Sequence, residues 1–228
     1  MKRKVAVFDI DGTIFRSSLL VELTEALIKA QVFPVTVRSR YLREYKAWFN
    51  RRGSYDCYLG KLIAVFDASI KGVRRNIFLR IAKGVIRAQR ERTYRYTRNL
   101  IRTLRQRGYY LLAISHSPKY IVHAFAKRLG FNKVYGRMLE VDADGRFTGK
   151  TLHEDIIMDK ARILSRAVEK ERLTLTNSIG VGDSESDIPF LEMTKGAIAF
   201  NPNRKLYRHA KRRGWRIVVE RKDMVYVL

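Results

Sequence analysis

Asp9 and Asp11 stand one residue apart, directly after the apolar run Val5-Ala6-Val7-Phe8 and directly before Gly12-Thr13. Two carboxylates this close repel each other. The pair is tolerable with a cation, with a shared proton, or with different tasks for the two groups. A plain strand-to-turn exit with both acids in solvent is the bland alternative. Gly12 lets the backbone turn sharply and lets a ligand approach it closely.

A strand must hold these acids. Four consecutive apolar residues, bounded by charge on one side and glycine on the other, suit a short strand covered on both faces. Asp9 and Asp11 then lie at or just past its carboxyl end, which is where ligands bind in open α/β sheets.

The 228 residues, 46% of them apolar, can fill one large domain or a core with a smaller insert. Lys and Arg number 47 against 22 acidic residues, a formal net charge of +25. One reading is a polyanion partner, nucleic acid or an anionic membrane surface. The other is a source whose proteins are generally basic, or a solvated basic surface that attracts phosphorylated substrates. The basic residues are spread over the whole chain without an uninterrupted block, which favours the second. Cys57 is the only cysteine, so an intramolecular disulfide and a cysteine-rich metal site are excluded and a reducing, cytoplasmic setting is the expectation. The start Met-Lys-Arg-Lys at 1–4 has the flavour of a secretory leader, but Asp9 and Asp11 interrupt the apolar run that follows. No stretch approaches the ~18–20 apolar residues of a transmembrane helix. Oligomeric state leaves no signal.

Helical spacing of apolar residues begins at 18–30, with Ser17 or Ser18 as N-cap, and Pro34 ends it. A second helix runs through Tyr41, Tyr45, Trp48 and Phe49 to Gly53, and a third covers 55–70. A fourth follows Gly72 and carries Ile77, Phe78, Ile81, Val85 and Ile86. No strand signal interrupts them, so 17–92 reads as an inserted helical cap and 1–16 with 93–228 as the α/β core. The cap aromatics read as helix packing rather than a base-stacking platform. In the core the pattern predicts a helix over 94–107 and a strand over 109–114. Ser117 and Pro118 have the chemistry to open a helix that runs to Leu129. Strands at 134–141 and 146–148 flank the turn Asp142-Ala-Asp-Gly145. One helix over 154–170, strands at 176–181 and 197–200, a helix at 206–213 and a strand at 215–219 complete a mostly parallel sheet.

Asp9-Ile-Asp-Gly-Thr13, Ser115 after Leu111-Leu-Ala-Ile, Lys160 in Asp159-Lys-Ala-Arg, and Gly182-Asp-Ser-Glu-Ser-Asp187 resemble, in order, motifs I to IV of the haloacid dehalogenase-like hydrolases. Ser115-His-Ser-Pro118, Asp144-Gly-Arg-Phe-Thr-Gly149 and Asn201-Pro202 are similar to habits of its phosphoserine-phosphatase-like branch, subfamily IB. The resemblance covers essentially the full chain. It implies an α/β fold, a Rossmann-like mostly parallel sheet flanked by helices, with an inserted all-helical (C1-type) cap and a small β-hairpin. It also implies a magnesium-dependent phosphatase that hydrolyses a phosphomonoester of a small metabolite through an aspartyl-phosphate.

By the same resemblance Asp9 is the nucleophile, and Asp11 protonates the leaving alkoxide and later activates water. Phosphoryl transfer needs an in-line nucleophile, neutralised equatorial oxygens and a proton for the leaving oxygen. Several acids beside a phosphate call for a hard divalent cation, and oxygen-only ligands favour Mg2+ over zinc. The implied ligands are the Asp9 carboxylate, the Asp11 main-chain carbonyl and Asp183, with Asp187 close by, directly or through water. Ser115, Gly12 and His116 would hold phosphate together with a helix N-terminus. Lys160 would add a point charge. Read as residues alone, Asp183 and Asp187 also suit a helix cap and a first-turn dipole partner. Lys150 competes with Lys160, and His116 is as well explained by its backbone amide.

Phosphoserine phosphatases resemble one another in carrying a glutamate seven residues beyond the second motif-I aspartate. Here that residue is Ser18, with Glu22 one helical turn further on, and Ser186 stands where those enzymes carry asparagine. Phosphoserine is therefore one candidate among phosphorylated small metabolites. A different class stays open: a basic protein that binds nucleic acid or an anionic membrane on this scaffold, or a phosphatase acting on lipid or nucleic-acid-end phosphates.

Overall fold

The computed structural model describes residues 2–228, so Met1, the first residue of the basic start, lies outside the described residues. In chain order the elements are β1 (Arg3–Phe8), α1 (Leu19–Lys29), α2 (Leu42–Phe49), α3 (Tyr55–Ile70), α4 (Arg75–Gln89), α5 (Arg95–Gln106), β2 (Tyr110–Pro118), α6 (Lys119–Lys127), β3 (Lys133–Val141) and β4 (Phe147–Leu152). There follow α7 (Glu154–Ile157), α8 (Lys160–Lys170), β5 (Leu173–Gly182), α9 (Ile188–Met193), β6 (Gly196–Phe200), α10 (Arg204–Arg213), β7 (Arg216–Arg221) and β8 (Met224–Val227). Two 3-10 segments, Val35–Arg40 and Glu185–Asp187, complete the set.

The strand order is β4-β3-β2-β1-β5-β6-β7-β8. β1 pairs in parallel with both β2 and β5, and β6 and β7 continue the parallel run. Only the outer pairs, β3 with β4 and β7 with β8, are antiparallel. The mostly parallel α/β sheet expected from the apolar runs is thus the observed one. Strand order reverses at β1, which puts a switch point at the carboxyl end of that strand.

The chain divides into two compact units, one built from the chain up to Ser18, Arg90–Arg137 and His153–Leu228, the other from Leu19–Gln89 and Met138–Leu152. In the first, side chains alternate across β1. Val5 and Val7 join Leu112, Ile114, Leu164, Phe190 and Leu206 in one buried cluster. Phe8, on the opposite face, meets Phe131 edge-on at 5.8 Å. α5 turns Thr97, Ile101 and Leu104 inward and leaves its arginines outside, the spacing of a one-sided helix.

In the second unit α1 buries Leu20, Leu23 and Leu27, and Phe33 packs on Phe66 at 5.8 Å. The β3–β4 hairpin tip belongs here. Phe147 meets Phe78 at 5.0 Å, and the Gly72 amide donates to the Phe147 carbonyl at 2.8 Å. Reading 93–228 as a single core block placed 138–152 with the sheet, because periodicity reports a strand and not its neighbours.

Three other local expectations change. The helix over 154–170 is two helices, since Asp159 leaves the helical path and caps α8 by accepting the Ala161 and Arg162 amides at 3.0 and 3.1 Å. β2 runs on to Pro118, so Ser117 is a strand residue and the N-cap position of α6 falls to Pro118. β8 is an extra edge strand whose Met224 and Val227 stay exposed, so no buried run announced it.

Candidate active site

Three adjacent parallel strands end together. Asp9 follows β1 and its amide still donates to the Val181 carbonyl of β5 at 2.9 Å. Ser115 lies near the end of β2, and Asp183 follows β5. Gly12, at φ +85°, lies so near β5's exit that a Cβ there would sit 2.1 Å from Asp183 Oδ2. Neither the left-handed backbone nor the contact admits a side chain. Gly182 is equally confined, because a Cβ would meet the Asp187 Cβ at 2.5 Å.

Lys160 is the pivot of the charges. Only 4% exposed, its ammonium donates to Asp9 Oδ1 at 2.7 Å and to Asp187 Oδ1 at 2.5 Å. Burial alone would push the lysine toward its neutral form, but the Asp187 and Asp9 carboxylates outweigh that and hold its pKa above the usual lysine value. Lys150, its competitor in the sequence, is an exposed residue of β4 in the other unit. Asp187 Oδ2 accepts the Asp183 and Ser184 amides at 2.9 and 3.1 Å. Both Asp187 oxygens are therefore engaged in fixing the lysine and the loop.

Asp9 is held by one oxygen only. Its Oδ2 is buried with no hydrogen-bond partner, while one ligand atom from each of Asp9, Asp183 and Asp187 lies within 4.8 Å of the others. Burial pushes the Asp9 carboxyl up to about 7 against the pull of Lys160, and Asp187 and Asp11 add to the rise. Burial, then Asp9 and Asp187, raise Asp183 well above the carboxylate range. An orphaned carboxylate oxygen among acids that cannot comfortably ionise is a site short of positive charge. A hard divalent cation fits that donor set.

Asp11 faces the other way. Its Oδ2 accepts from the Ser115 hydroxyl at 2.6 Å and from the Ser117 hydroxyl at 2.9 Å, and Ser115 Oγ accepts the Ser117 amide at 2.9 Å. Ser117, read from sequence as a helix cap, is thus the side chain whose part in the site was missed. The repeat of two serines around His116 was its one visible signal. Gly12 brings its amide nearby, but that amide already donates to the Phe15 and Ser17 carbonyls at 3.0 and 3.1 Å. The His116 ring has a buried, unpartnered Nε2. Burial, reinforced by Lys160, lowers its pKa to about 3, so the imidazole is neutral.

The geometry brings together Asp9, Asp11, Ser115, Lys160, Asp183 and Asp187 from parts of the chain more than a hundred residues apart, and residues 6–192 match the haloacid dehalogenase-like hydrolase family. The chain belongs to that family. Among relatives of this hydrolase, a putative hydrolase of Mycobacterium leprae is 26% identical over 217 residues, covering 93% of this chain and 71% of that protein. The phosphoserine phosphatase SerB1 of Mycobacterium tuberculosis is 27% identical over 217 residues, covering 93% and 69%. A solved phospho-aspartyl intermediate analogue of phosphoserine phosphatase superposes with TM-score 0.64 at 22% identity, covering 98% of this chain and 96% of that one. At that identity the likeness is one of fold. Family and relatives make this haloacid dehalogenase-like hydrolase a phosphoric monoester hydrolase. No helix among the described residues is long and apolar enough to cross a membrane.

Proposed function

We propose that this hydrolase cleaves the phosphomonoester of a small metabolite through an aspartyl-phosphate on Asp9, with Mg2+ as its cation. The observation that carries the reading is the state of Asp9: Oδ1 oriented by the buried Lys160, Oδ2 buried and without a partner. A carboxylate held this way at the end of β1 is a positioned nucleophile. Asp9, the Asp11 carbonyl and Asp183 would hold the magnesium, with Asp187 in support through the loop it braces. When bound, the ion neutralises phosphate oxygens and favours the ionised form of Asp9.

The chain's own groups supply the remainder. A carboxylate oxygen of Asp9 bonds to phosphorus as the ester P–O bond breaks. Asp11 gives its proton to the departing alkoxide. Asp11, now a carboxylate, takes a proton from the water that attacks phosphorus, and the Asp9–phosphorus bond breaks to release inorganic phosphate. Ser115, with the amides that follow it, and Lys160 bind the phosphate oxygens. His116, neutral, adds shape and no charge.

Phosphoserine heads the list of substrates because SerB1 carries that name. Ser18 and Ser186, where phosphoserine phosphatases carry glutamate and asparagine, support widening it to other small phosphomonoesters. The lone exposed Cys57 is compatible with a cytoplasmic setting.

The test is hydrolysis of an aryl phosphate with and without magnesium. Asp9→Asn should lose about a thousandfold or more of turnover. Asp11→Asn, mixed with substrate and magnesium, should accumulate protein heavier by one phosphoryl group in intact-mass spectrometry. Undiminished turnover in Asp9→Asn would sink the mechanism.

A further inference from the structure

We propose that α2 and the segments on either side of it form a docking face for an anionic lipid surface. The face lies entirely in the helical unit. α2 fully buries none of its eight residues. Phe49 is 63% exposed, Leu42 39%, and Val35, just upstream, 68%. Leu42 and Phe49 are seven residues apart and so share one side of the helix, with Lys46 between them at i+4 and i−3 spacing. Arg43, three residues before Lys46, borders that side, its side chain 92% exposed.

Charge complementarity selects the partner. Residues 35–52 hold Arg38, Arg40, Arg43, Lys46, Arg51 and Arg52 against the single acid Glu44. Arg38 is spent on Glu25 at 2.5 Å and Arg43 pairs with Glu44 at 3.2 Å, which leaves Arg40, Lys46, Arg51 and Arg52 beside the exposed apolar residues. Exposed aromatic and aliphatic side chains ringed by Lys and Arg are the composition of a helix lying in a lipid headgroup layer.

Two other occupants fit worse. Single-stranded nucleic acid needs free aromatic faces on which bases stack. Here Trp48 stacks on Tyr58 at 5.5 Å and 12°, and Tyr45 on Phe49 at 5.8 Å and 27°, so these rings spend faces on one another. Leu42 and Val35 offer bases nothing, whereas acyl chains accept them. A second copy of the chain, docked symmetrically, would set Arg43, Lys46, Arg51 and Arg52 against themselves.

The experiment is co-sedimentation of the full chain with vesicles of phosphatidylcholine alone or mixed with phosphatidylserine, at physiological salt. The parent should pellet with the mixed vesicles and stay in solution with the neutral ones. Leu42→Ser with Phe49→Ser leaves the charge unchanged and should weaken binding about tenfold. Arg43→Gln, Lys46→Gln, Arg51→Gln and Arg52→Gln together should weaken it about a hundredfold or more. Both variants change exposed positions, and unaltered aryl phosphate hydrolysis certifies their fold. Failure to pellet with anionic vesicles would overturn the proposal. Undiminished binding by the Leu42/Phe49 variant would overturn it too, since the +25 charge alone would then explain the attraction. A dimer in the parent that both variants abolish, or tighter binding to single-stranded RNA lost in the same variants, would give the face to another occupant.

Discussion

The two units of this hydrolase treat charge in opposite ways. In the sheet unit, Lys160 and the carboxylates of Asp9 and Asp187 are almost wholly removed from water, side-chain exposures 3%, 5% and 0%. In the helical unit the ion pair of Arg38 with Glu25 stays half exposed, at 48% and 41%, and the interior is left to Phe33, Phe66, Phe78 and their neighbours. A buried charge group costs desolvation that a hydrophobic core does not, and it persists where chemistry needs groups that are oriented and under-solvated. The distribution of buried charge thus coincides with the unit to which the proposed function assigns the work on phosphate.

The largest expected effect sharpens this contrast. Lys160→Met preserves bulk while leaving Asp9 and Asp187 without their cation. It should cost about 3–5 kcal/mol, or roughly 10 °C in Tm, and abolish measurable turnover. Equal thermal stability of Lys160→Met and parent in calorimetry would break the comparison.

A pH effect comes next. With the folded pKa of Asp9 near 7 against an ordinary value of 3.8, the folded state keeps its proton after the unfolded chain has lost one. Stability of the metal-free protein is therefore fullest below about pH 4 as far as this group is concerned, and is lost as pH rises toward 7. Asp183 acts in the same direction. Chelator-treated protein should show Tm falling over that window, and magnesium should restore most of the loss at neutral pH. A Tm that instead rises from pH 4 to 7 without metal would contradict the burial argument.

Ser117→Ala should lower turnover by roughly tenfold, by removing one of the two hydroxyls that orient Asp11. Steady-state kinetics would locate the loss in kcat, and parental kinetics would return Ser117 to a purely structural role. The smallest effect belongs to the exposed pair. Arg38→Ala should leave Tm within experimental error, since water and salt already screen that contact. A large drop would mean that the helical unit, too, depends on its charges.

The legible features were those set by near neighbours. Val5 to Phe8 announces a buried strand because four apolar residues in succession leave no polar face. Tyr55–Ile70 announces a helix because Tyr58, Leu62, Val65, Phe66 and Ile70 recur at its period. The order of Asp9, Ser115, Lys160 and Asp183 along the chain carried the resemblance to a family. The break before Lys160 was not visible, because helical spacing continues across it and only the Asp159 cap shows the chain turning. Nor was the hairpin's place, since Phe147 meets Phe78 across a long gap in sequence.

From its letters alone this chain declares a parallel sheet, a run of helices, and carboxylates waiting at strand ends, all consequences of local propensity and pattern. Folding adds what those letters do not contain: that Asp11 rests on two serines 104 and 106 residues away, that Lys160 reaches Asp9 across 151, and that Asp9 keeps one oxygen unsatisfied. Protonation and orientation in the site arise from burial and distance, and those are sums over residues that meet only when the chain is folded.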